Sequence, residues 1–218
     1  PYSDPHYKDY RKVVNIAPED VLAVNDKVGF HPAMGPIKDM YDQGKVAVLQ
    51  GIGYPNPNRS HFRSLDIWHT AEPEKPISEG WLGKTIRELD PNKENILTGV
   101  NFGRGLPRAL AAPGVSVASV GDLSNYGVLT GIQAADDRSE ALDIFARMYA
   151  PMIGTGAVSE YLSQTGLDAL RGADILSEAP KNYSSCVEYG GSPFAQWLKN
   201  IAQVHFSDYG TRILYTGV

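Results

Sequence analysis

The sequence predicts an α/β protein, a mostly parallel sheet flanked by helices, and three features point to it. Short apolar runs alternate with segments of helical periodicity along the 218 residues. The run at 115–120 is rich in β-branched residues, as a strand requires. A helical pattern from Ser192 to about Ser207 returns to a strand pattern at Thr211 to Thr216 across the short connection Asp208-Tyr209-Gly210, which is ordinary helix-to-strand wiring.

The elements follow in order. Asp4 caps and Pro5 begins a short helix to about Val13, because a carboxylate accepts free N–H groups and proline fits the first helical position. From Pro32 to Gln43, Met34, Ile37, Met40 and Tyr41 fall on one helical face, and Gly44 supplies the stop. The continuous run Val46-Ala47-Val48-Leu49 within Lys45 to Gln50 has the composition of a buried parallel strand. Pro55 and Pro57 then stiffen a loop, and Ser60 precedes a helix whose Phe62, Leu65 and Trp68 are spaced by three and are expected on a buried face.

Trp81 to Leu89 forms a further short helix, while Leu97 to Phe102 and Val115 to Val120 extend the sheet. Arg138 to Ala150 carries Leu142, Phe145, Met148 and Tyr149 at helical spacing, and Val158 to Leu176 is a longer helical region interrupted near Gly166 or Gly172. Ser192 and Pro193 cap and open the next helix, with Phe194, Leu198, Ile201 and Val204 or His205 facing inward. The pattern contains no internal repeat and no evident domain boundary, so residues 1–218 read as one partial α/β domain.

Composition narrows the function classes. A net charge of -5 gives no electrostatic case for nucleic acid. No apolar run approaches the roughly 20 residues that span a bilayer. Cys186 stands alone, which excludes an internal disulfide and a cysteine-rich metal site. Gly99 to Gly105 lacks both the dinucleotide glycine spacing and the phosphate-loop lysine, and the five histidines form no metal-binding pair at helical or strand spacing. Gly154 and Gly156 follow a helical pattern and read as a helix connection.

The most informative stretch is Lys45 to Thr70. A hydroxyl at a helix start, with Arg59, His61 and Arg63 around it, is where an α/β enzyme holds an anion or a nucleophile. Unpaired N–H groups and the positive end of the helix dipole meet there, and two guanidinium forks add charge. From the residues alone an ordinary serine cap is the better reading. His69, three residues after Asp66, forms either a metal pair or a surface contact, the contact being favoured.

The order of GFHPAMGPIKDMYDQGKVAVLQGIGYPNPNRSHFRSLDIWHT, GWLGK, GVSVASVGDLSNYGVL and VEYGGSPFAQWLKNIAQ resembles the bacterial family called domain of unknown function 1501 over nearly the whole chain. Phe30-His31-Pro32 and Arg59-Ser60-His61-Phe62 are its most specific signatures here. That family is placed in the alkaline phosphatase and sulfatase superfamily. The resemblance therefore implies an alkaline-phosphatase-like sheet, divalent metal ions in the complete protein, and hydrolysis of small anionic phosphate or sulfate esters. It makes Ser60 the nucleophile, Arg59 and Arg63 the anion contacts, and His61 an accessory group. It also implies twin-arginine export to the periplasm or another extracytoplasmic space.

The same resemblance implies missing partners. A Gly-Gly-Asn-Asp-Gly-like turn is expected before the segment that matches Pro1 to Pro5, and a Gly-Gly-Phe-Asp-Thr-His segment after the strand ending near Thr216, with most metal ligands in those pieces. The chain is thus expected to be an incomplete portion whose partners include the rest of its own polypeptide. An intact mass equal to 23.7 kDa from the source material would contradict that. Two function classes result: a metal-dependent ester hydrolase, inactive as this fragment, or a non-catalytic structural, surface or complex-forming member of the same fold.

Overall fold

The computed structural model describes residues 1–123, 135–148 and 171–217. The chain divides into two compact units, Pro1–Pro55 and Asn56–Val218. The first holds helix α1 (Pro5–Tyr10), a hairpin of β1 (Leu22–Ala23) and β2 (Gly29–Phe30), and helix α2 (Gly35–Asp42). Asp4 caps α1 by accepting the His6 N–H at 2.9 Å, with Pro5 at the first position. The helix stops at Tyr10, short of Val13.

Asn25 shapes the hairpin loop, its side-chain oxygen accepting the N–H groups of Lys27 and Val28. His31 opens a 3-10 turn at Pro32–Met34 by accepting the Ala33 N–H through Nδ1 at 3.0 Å. The end of α2 is a Schellman cap. Gly44 sits at φ 70°, its N–H reaches the Tyr41 carbonyl, and the Lys45 N–H reaches back to Met40.

One expectation fails in this unit. Lys45 to Gln50 is not a strand: it joins no ladder among the described residues, and Leu49 is 76% exposed. A parallel strand draws its stability from bonds to a neighbour, so an apolar run without one stays irregular. The face of Met34, Ile37 and Met40 forms on α2 but remains exposed, and no residue from 1 to 55 is buried.

The second unit has helices α3 (His61–Thr70), α4 (Trp81–Leu89) and α5 (Ala135–Met148), helical residues 171–177 (α6), α7 (Ala179–Asn182) and α8 (Pro193–His205). Its sheet joins β3 (Gly99–Phe102), β4 (Ala118–Val120) and β5 (Ile213–Thr216) in the order β4-β3-β5, all parallel. The α/β class and the three strands expected here are as the sequence predicts. All four residues of the central strand are buried, as covering of both faces requires. Val100 and Phe102 join Leu97, Val120, Leu123, Leu176, Ala179 and Val204 in the core. Trp197, Ile201, Tyr209 and Leu214 pack against it.

Helix α8 carries the expected Ser192 cap and Pro193 start, but its inward face is rotated. Asn200, Gln203 and Val204 are buried, whereas Phe194, Leu198 and His205 are exposed. In α5, Met148 is 71% exposed. Tyr149 and the part of the 158–176 region before residue 171 lie outside the described residues.

Close backbone approach explains the GWLGK segment. A Cβ on Gly80 would come within 2.0 Å of the Arg108 carbonyl oxygen, and one on Gly83 within 2.7 Å of that of Leu110. The Gly80 N–H donates to the Ala111 carbonyl at 2.8 Å, so α4 lies directly on the 108–111 backbone. At the entry to β3, Asp90 accepts the N–H groups of Glu94 and Asn95, each at 2.9 Å, and the Thr98 hydroxyl at 3.2 Å. Those backbone bonds, Asn95 foremost, hold its carboxyl below the usual carboxylate range. Asn95 also donates to the Tyr209 carbonyl, tying the β3 entry to the α8–β5 connection.

Candidate functional site

The start of α3 is built by its own loop. Asn58 accepts the Ser60 N–H at 2.8 Å through its side-chain oxygen, and its carbonyl accepts the Ser64 hydroxyl at 2.8 Å. This two-residue side-chain turn sets Ser60 in extended backbone, where its hydroxyl accepts the Arg63 N–H at 3.4 Å and caps the helix. Ser60 is exposed, as are Arg59 and His61 on either side. An anion arriving here can meet the N–H groups of the helix start, and Arg59 is the residue just before the cap.

The neighbouring charges have other occupations. Arg63 is half-buried, and its guanidinium donates to the carbonyls of Glu72 and Pro73, both at 3.3 Å, so the fork secures the loop that follows α3. Asp66 pairs with Arg108. Arg108 donates in addition to the Ile77 carbonyl, clamping α3, the 71–80 loop and the 108–110 turn together. Asp66 is thus engaged by Arg108, a partner that neither reading of the Asp66 and His69 pair named. Glu79 and Arg87 meet side by side through two bonds of 3.1 Å. Each stabilises the other's charge, holding Glu79 below and Arg87 above the usual range.

The helical face expected to bury Phe62, Leu65 and Trp68 points the other way. These residues are 86%, 53% and 53% exposed, and the buried positions of α3 are Ile67 and Thr70. The inward stripe is Arg63, Asp66, Ile67 and Thr70, a set with polar anchors that a purely apolar count overlooks. Thr70 satisfies its hydroxyl on the Asp66 carbonyl at 2.7 Å.

At the carboxyl end of the sheet, where open α/β proteins place ligands, polar groups are used up internally. Buried Asn101 donates to the Gly105 carbonyl and to the Ser119 hydroxyl, both at 2.8 Å, and Ser119 donates to Gly105 at 2.6 Å. Thr216 closes onto the Phe102 carbonyl, and the Trp197 indole onto that of Gly121. The GVNFGRG segment is thus strand β3 followed by a folded turn.

Among the described residues no three His, Cys, Asp or Glu side chains gather as a metal site. They do not by themselves supply the ligand set that an ester hydrolase of the expected class uses. No helix of the described residues is long and apolar enough to cross a membrane.

Comparison of the chain with protein-family models, curated proteins and solved structures finds no match. The site therefore rests on its own geometry. Reading the sequence located the capped helix start, with Ser60, Arg59 and His61 exposed together. Reading the sequence missed Arg108, whose partners Asp66 and Ile77 lie 42 and 31 residues away and leave no local pattern.

Proposed function

We propose that the start of α3 is the nucleophile corner of an alkaline-phosphatase-like hydrolase acting on small phosphate or sulfate esters. The observation that supports this reading is the Ser60 hydroxyl, exposed at the positive end of a ten-residue helix with Arg59 beside it. In this reading Ser60 Oγ attacks phosphorus or sulfur in line, its proton leaves to a base, and the ester oxygen departs on the opposite side. Arg59 and the free N–H groups of the first turn stabilise charge on the equatorial oxygens, and His61 is the accessory group. Arg63 takes part as an anion contact only if it releases the Glu72 and Pro73 carbonyls.

Divalent metal ions supply nucleophile activation in this superfamily. The described residues do not form their site. The same proposal includes an extracytoplasmic place of action and the remaining segments of a longer polypeptide as partners.

The test is hydrolysis of p-nitrophenyl phosphate and p-nitrocatechol sulfate by the full-length protein, with zinc, magnesium, calcium or manganese added. Ser60→Ala is expected to lower turnover by at least about 10³-fold, as removal of a nucleophile does. Equal turnover in mutant and wild type rejects Ser60. A non-catalytic role is the second reading, favoured by the structural engagement of Arg63 and Asp66. Folded full-length protein with no turnover of either ester under any of the four metals would select it.

A further inference from the structure

The outward face of α3 reads the same in both directions. Its residues follow the order His61, Phe62, Leu65, Trp68, His69, that is, histidine, aromatic, leucine, aromatic, histidine, with Leu65 at the centre. At about 100° per residue, all five project within about 60° of the Leu65 direction. Phe62, Leu65 and Trp68 are largely exposed there. The opposite side of the helix is held to the fold by Ile67, Thr70 and the pair of Asp66 with Arg108, so the outward stripe is not what fixes α3 in place. An exposed row of Phe, Leu and Trp has the composition of an interface centre.

Charge is arranged to match. Exposed Arg59 precedes the positive end of the helix, while Glu72 and exposed Glu74 lie in the loop that leaves its negative end. Lys75 leaves the 71–75 segment with one net negative charge. Two copies of α3 packed antiparallel about a two-fold axis through Leu65 set Phe62 of one copy on Trp68 of the other, and His61 beside His69. The same packing brings each basic entry against an acidic exit, because Arg59 stands six residues before Leu65 and Glu72 seven after it. A parallel pair would set like charges together. An anionic lipid surface is a poorer match too, since Glu72 and Glu74 would meet it along with Arg59.

We propose that the outward face of α3 is a self-association surface whose partner is a second copy of this chain. The two helices pack antiparallel through Phe62, Leu65 and Trp68, and Arg59 opposite Glu72 and Glu74 sets the register. The contact is small beside the roughly 20–30 residues a side of a standard interface, so the pair is weak and dilute protein keeps the face open. This association requires no chemistry at Ser60.

Sedimentation equilibrium of the full-length protein, from about 5 μM to about 500 μM, is the test. The average mass is expected to rise with concentration from that of the monomer towards twice that value. Leu65→Asp, at an exposed position, sets two carboxylates against each other on the axis and should weaken association at least about tenfold. Arg59→Glu and Glu74→Arg should each weaken it about fivefold, because the symmetry counts every rim pair twice, and the two together should restore most of it. A mass that stays monomeric at the highest concentration overturns the proposal. So does a dimer indifferent to Leu65→Asp, or a double exchange that associates no better than either single variant.

Discussion

Ser60 opens α3 and Ser192 opens α8, each hydroxyl accepting the N–H three residues on, at 3.4 and 3.2 Å. Both helices carry apolar residues at helical spacing, yet their surroundings differ. α8 lies against the sheet through Val204, with Trp197 and Ile201 packed on the core, whereas α3 leaves Phe62, Leu65 and Trp68 in solvent. The anchors of α3 are polar instead: Asp66 to Arg108, and Arg63 to the carbonyls of its following loop. A cap starts a helix whatever lies beside it; the partner surface decides which face is buried and whether the helix start stays open to a ligand.

The sharpest way to break this contrast is to empty the core that α8 covers. Phe102→Ala, at a fully buried position of the central strand, is expected to cost about 3–5 kcal/mol, enough to unfold much of a marginal domain, as read by urea denaturation. A much smaller loss would show that the sheet is not the stabilising centre of the second unit.

Next in size is the Asp90 turn that sets the entry to β3. Asp90→Ala should cost about 1–3 kcal/mol through loss of bonds made by a charged acceptor. Because the folded carboxyl lies below its ordinary value of 3.8, the unfolded chain takes up the proton first. The contribution is therefore complete above that ordinary value and fades as pH falls through the lower folded one. Denaturation midpoints of wild type and Asp90→Asn should converge over that acidic window, and parallel profiles would contradict the assignment.

The two caps provide a matched pair. Ser192→Ala and Ser60→Ala should each cost about 1 kcal/mol by thermal or urea unfolding, since the same bond is lost at each helix start. Similar stability losses, with ester turnover lost only for Ser60→Ala, would separate capping from chemistry at the α3 start. The smallest effect is expected at Phe62. Phe62→Ser should change stability by no more than about 0.5 kcal/mol, because the ring is 86% exposed. A large destabilisation would mean that this face is covered in the protein as assayed.

Legibility along the chain followed the range of the interactions. Asp4, Gly44, Ser60 and Ser192 act on backbone groups within a few residues, so each cap and stop was readable. The parallel strands at 99–102, 118–120 and 213–216 were readable because they lie in short runs with β-branched and aromatic residues. The run at 46–49 has the same composition and no ladder, since composition does not provide the neighbour that completes a strand. Arg108 and Asp66 meet across 42 residues and left no periodic trace.

By itself the sequence determined the α/β class, the helix starts and stops, and the exposed group of Arg59, Ser60 and His61, because these follow from propensity, capping and short-range hydrogen bonds. Only the tertiary structure decided which helical faces are buried, which apolar run becomes a strand, and which arginine is already engaged. Those outcomes depend on groups brought together from distant parts of the chain, and a side chain's surroundings are fixed by what packs on it.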